Sequence, residues 1–132
     1  MIFVDADAFI ALNVKHDAHH GDAVFLLSRL EKSGEPLVTS WDVGDEVPTK
    51  LSYFTTHSQA LRFLELLLSS DVQVEYVTPQ ITFSIQKRFA GQSSKAVSLT
   101  DCANMEIAEK LKVRTFFSFD KHYKQNTFLL LQ

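Results

Sequence analysis

The sequence contains a single cysteine, no internal repeat and no low-complexity tract in its 132 residues. One cysteine, Cys102, excludes an internal disulfide and a cysteine-based metal cluster, which agrees with a reducing compartment. A free thiol can act as a nucleophile, although lone cysteines more often pack as small hydrophobic side chains. With 45% hydrophobic and 22% charged residues, the chain is expected to fold as one globular domain over residues 1–132.

Long apolar runs are also missing. Stretches rich in apolar residues, such as 64–68 and 128–131, are far shorter than the roughly 20 residues of a membrane-spanning helix. The apolar start at 2–4 has no basic region before it, which argues against a signal peptide. We therefore expect a soluble, cytoplasmic protein with no membrane partner.

The sequence is short of positive charge as well. It has 13 Lys and Arg residues against 16 Asp and Glu residues, so its formal net charge is -3. This balance argues against a protein that binds nucleic acid through bulk positive charge. If the ligand is RNA, a local basic patch and bound cations have to supply the attraction.

Apolar patterning predicts short strands separated by amphipathic helices. The predicted strands cover residues 2–4, 37–39, 72–77, 114–119 and 127–130. The predicted helices cover 6–13, 19–33, 40–54, 57–70, 79–89 and 99–112, with a polar loop at 92–95. Pro48 is expected to kink or delay the third helix, and Thr100 is expected to cap the last one. The alternation predicts an α/β fold with helices on both faces of a central, mainly parallel sheet.

Four acidic residues occupy comparable places in this pattern. Asp5 and Asp120 each directly follow a predicted strand, and Glu46 lies in the helix after the second strand. Asp101 lies in the first turn of a late helix. Ligands bind such sheets at the carboxyl ends of the strands, so four elements each present a carboxylate to one edge. Clustered carboxylates repel one another unless cations are bound, and their oxygens suit Mg²⁺ or Mn²⁺.

Three stretches of the chain resemble the PIN-domain family, and within it the VapC-type toxin ribonucleases of toxin–antitoxin pairs. The stretches are IFVDADAFIAL at 2–12, VTSWDVGDE at 38–46, and SLTDCA at 98–103 together with FSFDKHY at 117–123. The resemblance spans nearly the whole chain and keeps the motifs in order. It implies a PIN-like three-layer domain.

The resemblance also implies a function, a cofactor and partners. A PIN domain of this kind is a divalent-metal endoribonuclease, in which Mg²⁺ or Mn²⁺ binds the scissile phosphate and activates a water molecule. The acids of the family match Asp5, Glu46, Asp101 and Asp120. The expected partners are an RNA substrate, an antitoxin protein and a second copy of the chain. No protein nucleophile is required.

The sequence departs from the family pattern at Asp7, where a small hydroxyl or amide residue is usual. The extra carboxylate either joins the metal ligands or caps the first helix. Asp42 and Glu46 share a helix face at i,i+4 spacing, whereas Asp45 points elsewhere. We expect Glu46 to be the ligand and Asp42 to be a supporting or capping residue.

Several basic and hydroxyl side chains are candidates for contact with the substrate, although charge clusters are usually only solvated surfaces. These candidates are Thr100, Lys87, Arg88, Lys95, Lys121 and His122. A zinc site at His16, His19 and His20 is a weaker hypothesis, because the spacing is irregular and cysteine partners are lacking.

The two middle helices carry more apolar side chains than one small core obviously needs. They include Trp41, Leu61, Phe63, Leu64, Leu67 and Leu68. Ordinary burial explains such residues most simply. The resemblance suggests instead that part of this surface forms a homodimer or a groove for an antitoxin peptide.

The sequence allows three alternatives to the ribonuclease hypothesis. Asp5-Ala6-Asp7 resembles the catalytic pair of haloacid-dehalogenase-like phosphatases, but Ala8 and Phe9 stand where that family has glycine and threonine. A phosphoacceptor signalling domain needs an aspartate after the third strand, where this chain has Thr78. A non-catalytic PIN domain that binds RNA or scaffolds a complex usually lacks one or more of the four acids, all of which are present here.

Overall fold

A five-stranded sheet lies at the centre of the structure, a computed structural model that describes residues 1–132. The strands are β1 (Ile2–Val4), β2 (Leu37–Ser40), β3 (Gln73–Glu75), β4 (Thr115–Phe117) and β5 (Leu129–Leu130). The helices are α1 (Ala6–Asn13), α2 (His20–Ser33), α3 (Trp41–Phe54), α4 (His57–Ser69), α5 (Thr82–Ala90), α6 (Leu99–Lys110) and α7 (His122–Gln125). A 3-10 turn at Pro79–Ile81 leads into α5.

The strand order is β3-β2-β1-β4-β5, and every neighbouring pair is parallel. From β1 the chain first builds one half of the sheet with β2 and β3, and then crosses to the other side for β4 and β5. The carboxyl end of β1 therefore lies where the winding direction changes, which is the place where sheets of this kind form a ligand crevice. Asp5 follows β1 directly at this point.

Alternation along β1 distributes the core over both faces of the sheet. Phe3 packs with Phe116, Met105 and Tyr123 on the face covered by α5, α6 and α7. Val4 packs on the opposite face with residues of α1 and α2. A third apolar cluster joins α1 to α3 and α4. The predicted α/β class, with helices on both faces of a parallel sheet, is confirmed.

Several predicted element ends need correction. The strand expected over 114–119 ends at Phe117, because Ser118 and Phe119 turn toward α1 and donate hydrogen bonds to Asp7. The strand expected over 72–77 pairs only over Gln73–Glu75. The last long helix ends at Lys110 rather than at residue 112, since Lys112 has a left-handed φ of 58°. Pro48 does not delay α3, which begins at Trp41 and continues through this proline to Phe54.

The N-cap of α6 is Ser98, and the prediction that Thr100 caps this helix was wrong. The Ser98 hydroxyl accepts a hydrogen bond from the Asp101 amide at 3.0 Å, and the Asp101 carboxylate accepts one from the Ser98 amide at 2.8 Å. This reciprocal capping box satisfies two amides that the helix leaves free. It also fixes the Asp101 side chain against the first turn.

The capping box gives a prediction for stability. Ser98→Ala is expected to lower the free energy of unfolding by about 1 kcal/mol, because an N-cap hydroxyl is lost. Thr100→Ala is the matched control and should change it by less than about 0.5 kcal/mol, as for an ordinary surface substitution. Urea unfolding of the three proteins followed by circular dichroism measures both values. Equal losses for the two variants would contradict the assignment of the cap.

Cys102 lies in the core beside Met105, and none of its surface is exposed. Burial raises the pKa of its thiol, which disfavours the reactive thiolate. The side chain thus packs as a small hydrophobic residue. No helix in the chain combines the length and the apolar character needed to cross a membrane.

Candidate active site

The carboxyl-end edge of the sheet opens into a cleft of about 650 Å³. All four acids predicted from the sequence line this cleft, and Asp7 lines it with them. They arrive from different elements, since Asp5 and Asp120 follow β1 and β4 whereas Glu46 and Asp101 lie on α3 and α6. The topology therefore brings together carboxylates that are as much as 115 positions apart in the sequence.

Asp5 is the most enclosed of these acids, with only 6% of its surface exposed. Its Oδ1 accepts a hydrogen bond from the Ala6 amide at 2.8 Å, which makes Asp5 the N-cap of α1. Its Oδ2 accepts hydrogen bonds from the Tyr123 hydroxyl at 2.9 Å and from the Ser118 hydroxyl at 3.2 Å. The carboxylate is therefore held in one orientation at the floor of the cleft.

Burial raises the pKa of Asp5 from 3.8 to about 7, and the neighbouring charges of Asp7 and Asp101 add to this effect. The hydrogen bonds from Ala6 and Tyr123 oppose it but do not cancel it. A carboxylate in this position is stabilised by any positive charge that enters the cleft.

Asp7 does not cap α1, so one of its two predicted roles is excluded. Its Oδ2 accepts a hydrogen bond from the Phe119 amide at 2.8 Å and shares the single Ser118 hydroxyl proton, at 3.0 Å, with Asp5, which ties α1 to the end of β4. Its Oδ1 is buried and has no hydrogen-bond partner. Burial raises the pKa of this carboxyl too. This unpartnered oxygen beside Asp5 would be available to a bound cation.

His122 was proposed as a substrate contact, but it is buried beneath the acids rather than on the surface of the cleft. Its Nε2 lies 3.4 Å from Asp101 Oδ2 and its Nδ1 lies 3.1 Å from Asp120 Oδ1, although neither approach has hydrogen-bond geometry. The imidazole ring also packs against Tyr123. It therefore lies between two of the predicted ligands, Asp101 and Asp120.

Glu46 faces the cleft and forms an ion pair of 2.5 Å with Lys50 one turn later in α3. Asp45 is exposed, and Asp42 lines a different, mainly apolar groove with Thr100. The structure thus places Glu46 in the cleft and separates Asp42 from it. Thr100 does not line the cleft either.

A buried polar network behind the acids was not predicted from the sequence. Asn104 is completely buried on α6, where its amide oxygen accepts a 2.6 Å hydrogen bond from Ser40 and its amide nitrogen donates to Asp5 at 3.4 Å. Ser40 in turn caps α3 through the Val43 amide. Asn104 therefore connects the elements that carry Asp5, Glu46 and Asp101. The available signal was a polar residue on an otherwise apolar face, one turn after Asp101.

The other predicted basic contacts do not line the cleft. Arg88 is half-buried and forms a 2.6 Å ion pair with Glu106, with Glu109 and the ring of Phe128 also nearby. Lys87 lines a shallow hollow on α5, and Lys95 and Lys121 lie on exposed segments. The only basic side chains in the walls of the cleft are Lys50 and His19.

Two of the three histidines considered for a zinc site make other contacts. His19 stacks on Phe119 with a centroid distance of 4.3 Å and an interplanar angle of 4°. The Nδ1 of His20 is hydrogen bonded to the Ala11 carbonyl at 2.7 Å. No group of three histidine, cysteine or acidic side chains in the chain is spaced to hold a metal ion as placed.

The apolar surface of the middle helices is partly core and partly free. Phe63 and Leu67 are buried, and Trp41 and Leu64 are half-buried. Leu61 and Leu68 remain 50% and 56% exposed. Burial therefore explains only part of this set, and one face of α4 presents leucines to solvent.

The residues in the cleft fit a divalent cation in their chemistry. Every candidate ligand is a carboxylate oxygen, which is the type that Mg²⁺ and Mn²⁺ prefer. A positive charge bound beside them would stabilise both the unpartnered Asp7 Oδ1 and the ionised form of the buried Asp5. No three carboxylates stand at metal-binding spacing as placed, so a bound cation would need some of the more exposed side chains to move.

Comparison with known proteins finds similarity to endonucleases that act on RNA. Two curated relatives, both named 23S rRNA-specific endonuclease VapC20, come from two strains of Mycobacterium tuberculosis. Each is 29% identical over 130 residues, which cover 98% of this chain and 96% of the relative. The crystal structure of Mycobacterium tuberculosis VapC20, described as a Sarcin-Ricin loop cleaving toxin, superposes with a TM-score of 0.85 at 27% identity. That match covers 98% of this chain and 97% of the other.

The family itself is identified over nearly the full length. The sequence matches the PIN domain over residues 2–129, a range that includes all four acids of the cleft. The family match, the parallel sheet and the position of the acids at its carboxyl edge agree with one another. This chain belongs to the PIN domain family.

Proposed function

We propose that this protein is a divalent-metal-dependent endoribonuclease and the toxin of a toxin–antitoxin pair. The observation that carries the proposal is the convergence of Asp5, Glu46, Asp101 and Asp120 on one cleft at the switch point of a PIN sheet. The likeness to an rRNA endonuclease along 98% of the chain supports it. Mg²⁺ or Mn²⁺ is the proposed cofactor.

The chain's own residues prepare the site for hydrolysis by water. Asp5, Glu46, Asp101 and Asp120 would hold the cations, and Asp7 Oδ1 is a further free oxygen beside them. Cations bound there would polarise the scissile phosphate and lower the pKa of a water molecule. Ser98 is the only serine or threonine in the walls of the cleft, and its hydroxyl oxygen accepts a hydrogen bond from the Asp101 amide. A protein nucleophile is therefore not part of the proposal.

The comparisons also guide the choice of substrate and partner. Because the Mycobacterium tuberculosis relative is named as specific for 23S rRNA and its structure as a Sarcin-Ricin loop cleaving toxin, a ribosomal stem-loop is the first substrate to test. An antitoxin and a second copy of the chain are the proposed protein partners. The exposed Leu61 and Leu68 on α4 support a protein contact there. The cytoplasm is the proposed compartment.

The test is cleavage of ribosomal RNA and of single-stranded and stem-loop oligonucleotides by purified protein with Mg²⁺, with Mn²⁺ and with chelator. We expect cutting only with metal. Glu46→Gln should reduce the rate by more than about tenfold, whereas its neighbour Asp45→Asn should not, since Asp45 lies outside the cleft.

The other outcomes of this assay are equally informative. RNA binding without cleavage under any metal condition would replace the proposal with a non-catalytic PIN domain. Turnover of small phosphate esters without RNA cleavage would favour a phosphatase. Co-expression with the product of an adjacent small gene, followed by growth measurement, tests the toxin–antitoxin part separately.

A further inference from the structure

The outer wall of the acidic cleft carries two exposed aromatic rings. Tyr53 and Phe54 form the C-terminal end of α3 and line the same cleft as the carboxylates. Tyr53 is 86% exposed and Phe54 is 54% exposed. Neither ring packs against another aromatic side chain. Large apolar rings that remain uncovered beside a polar cleft are available to a ligand.

The backbone under these rings is well anchored. Leu51, one turn earlier, is fully buried. Its carbonyl accepts hydrogen bonds from the Thr55 amide at 2.8 Å and from the Thr55 hydroxyl at 2.7 Å, which closes the helix. The rings therefore project from a fixed helix end rather than from a loose loop, so a ligand that stacks on them pays little entropy for ordering the platform.

An aromatic pair also lies on another wall of the cleft. His19 lines the cleft and is already stacked on Phe119. The Phe119 amide donates to Asp7, which links this pair to the acidic floor. Aromatic surface is thus present in the cleft beyond the C-terminal end of α3, with the carboxylates in the same cavity.

The side chains of the cleft are mainly acidic, which makes the aromatic rings more important for binding RNA. Six carboxylates line it, namely Asp5, Asp7, Asp17, Glu46, Asp101 and Asp120. The basic groups are only Lys50, which is paired with Glu46, and His19. Side chains therefore offer little attraction to a phosphate backbone, and cations at the floor would serve mainly the phosphate being cleaved. Affinity for the rest of an RNA substrate has to come from another interaction.

We propose that Tyr53, with Phe54 beside it, is a stacking platform for an unpaired nucleobase next to the scissile phosphate. The proposal rests on the proposed ribonuclease function and adds how the substrate is held. Unpaired bases in RNA loops can be splayed out and stacked on aromatic side chains, whereas bases within a helix cannot. The site therefore selects single-stranded or loop RNA.

The binding test uses protein that carries Asp101→Asn to prevent cleavage. A fluorescent single-stranded RNA of about ten nucleotides is titrated with this protein in Mg²⁺ and its anisotropy is measured. Tyr53→Ala should raise Kd by roughly tenfold, a typical effect of losing one base–aromatic stack. Tyr53→Phe keeps the ring and should bind within about twofold of the parent.

Two controls separate stacking from other effects. Tyr76→Ala removes a tyrosine that is also exposed but lies outside the cleft, and it should leave Kd unchanged. A 2-aminopurine base beside the cleavage site should lose fluorescence on binding, and Tyr53→Ala should abolish that loss. In the cleaving protein, Tyr53→Ala should raise KM and leave kcat nearly constant.

The outcomes distinguish this proposal from the function on which it rests. If RNA is cleaved normally and Tyr53→Ala binds as tightly as its parent, the stacking platform is wrong and the ribonuclease stands. If no RNA is bound or cleaved by the protein in any form, both proposals are wrong. Equal losses for Tyr53→Ala and Tyr53→Phe would assign the effect to the hydroxyl and overturn stacking.

Discussion

Replacement of Asp101 by asparagine should reduce Mg²⁺-dependent RNA cleavage by more than about 100-fold, a larger loss than that usual for groups that only support metal ligands. The substitution removes one negative charge and almost no volume. Its amide oxygen can still accept the hydrogen bond from the Ser98 amide that completes the capping box. The helix therefore keeps its start, and the loss reports the missing carboxylate.

The control for this variant is Asp42→Asn, which makes the same chemical change in the neighbouring groove. Asp42 lines that groove with Thr100 and does not reach the cleft. We expect its cleavage rate to stay within about twofold of the parent, as for surface positions without a functional contact. Initial rates at saturating Mg²⁺, with urea unfolding of each protein, provide the comparison. Full activity of Asp101→Asn would remove this residue from the proposed ligands.

The sheet and the acidic edge could be predicted because each depends on local sequence. A buried strand needs a continuous apolar run, and the 2–4 and 37–39 runs are short and clearly bounded. Once parallel strands are assigned, their carboxyl ends must meet at one edge. The positions of Asp5 and Asp120 then follow without knowledge of any side-chain contact.

The network behind the acids could not be predicted, because it depends on side-chain directions in three dimensions. Asn104 meets Ser40 across 64 positions of sequence and meets Asp5 across 99. Nothing local indicates that Tyr123, placed in the core by its ring, also directs its hydroxyl at Asp5. Such pairings emerge only when β1, β2 and α6 have been packed together.

The basic residues show a different limit of sequence reasoning. The sequence shows that Arg88 lies near other basic residues. It does not reveal that Arg88 forms ion pairs with Glu106 and Glu109 on α6. In the same way, Ser98 and Thr100 are both suitable N-cap residues, and only the backbone geometry assigns the cap to Ser98. Two competing hydroxyls two positions apart cannot be separated by residue preference.

The stability of the metal-free protein should fall as pH rises from about 4 to about 8, and Asp5→Asn should remove much of this fall. The pKa of Asp5 is 3.8 in the unfolded reference and about 7 in the folded protein, chiefly because the carboxyl is buried. The folded state therefore binds a proton more tightly than the unfolded state. The resulting stabilisation is complete below pH 3.8 and is lost as pH rises through about 7.

The interval between these two pKa values limits how far the free energies of unfolding of the parent and Asp5→Asn can move apart over this pH range. The upper limit is about 4 kcal/mol. Urea unfolding in chelator at several pH values measures it, and the comparison between the two proteins cancels groups that titrate identically in both. At pH 4 the difference should be near its minimum, and at pH 8 the asparagine variant should be relatively most stable. Asp7 remains in the variant, and its pKa is also raised. The free energy of unfolding of Asp5→Asn should therefore still fall with rising pH, but less steeply.

Added Mg²⁺ should act in the opposite direction, because a cation that binds the ionised cleft stabilises only the folded state. At pH 8 we expect millimolar Mg²⁺ to raise the free energy of unfolding of the parent more than that of Asp5→Asn. If the difference in the free energy of unfolding between the two proteins in chelator does not change with pH, ionisation of Asp5 does not destabilise the folded state. An equal response of both to Mg²⁺ would remove Asp5 from the cation site, since the charge that the substitution deletes would then be irrelevant to binding.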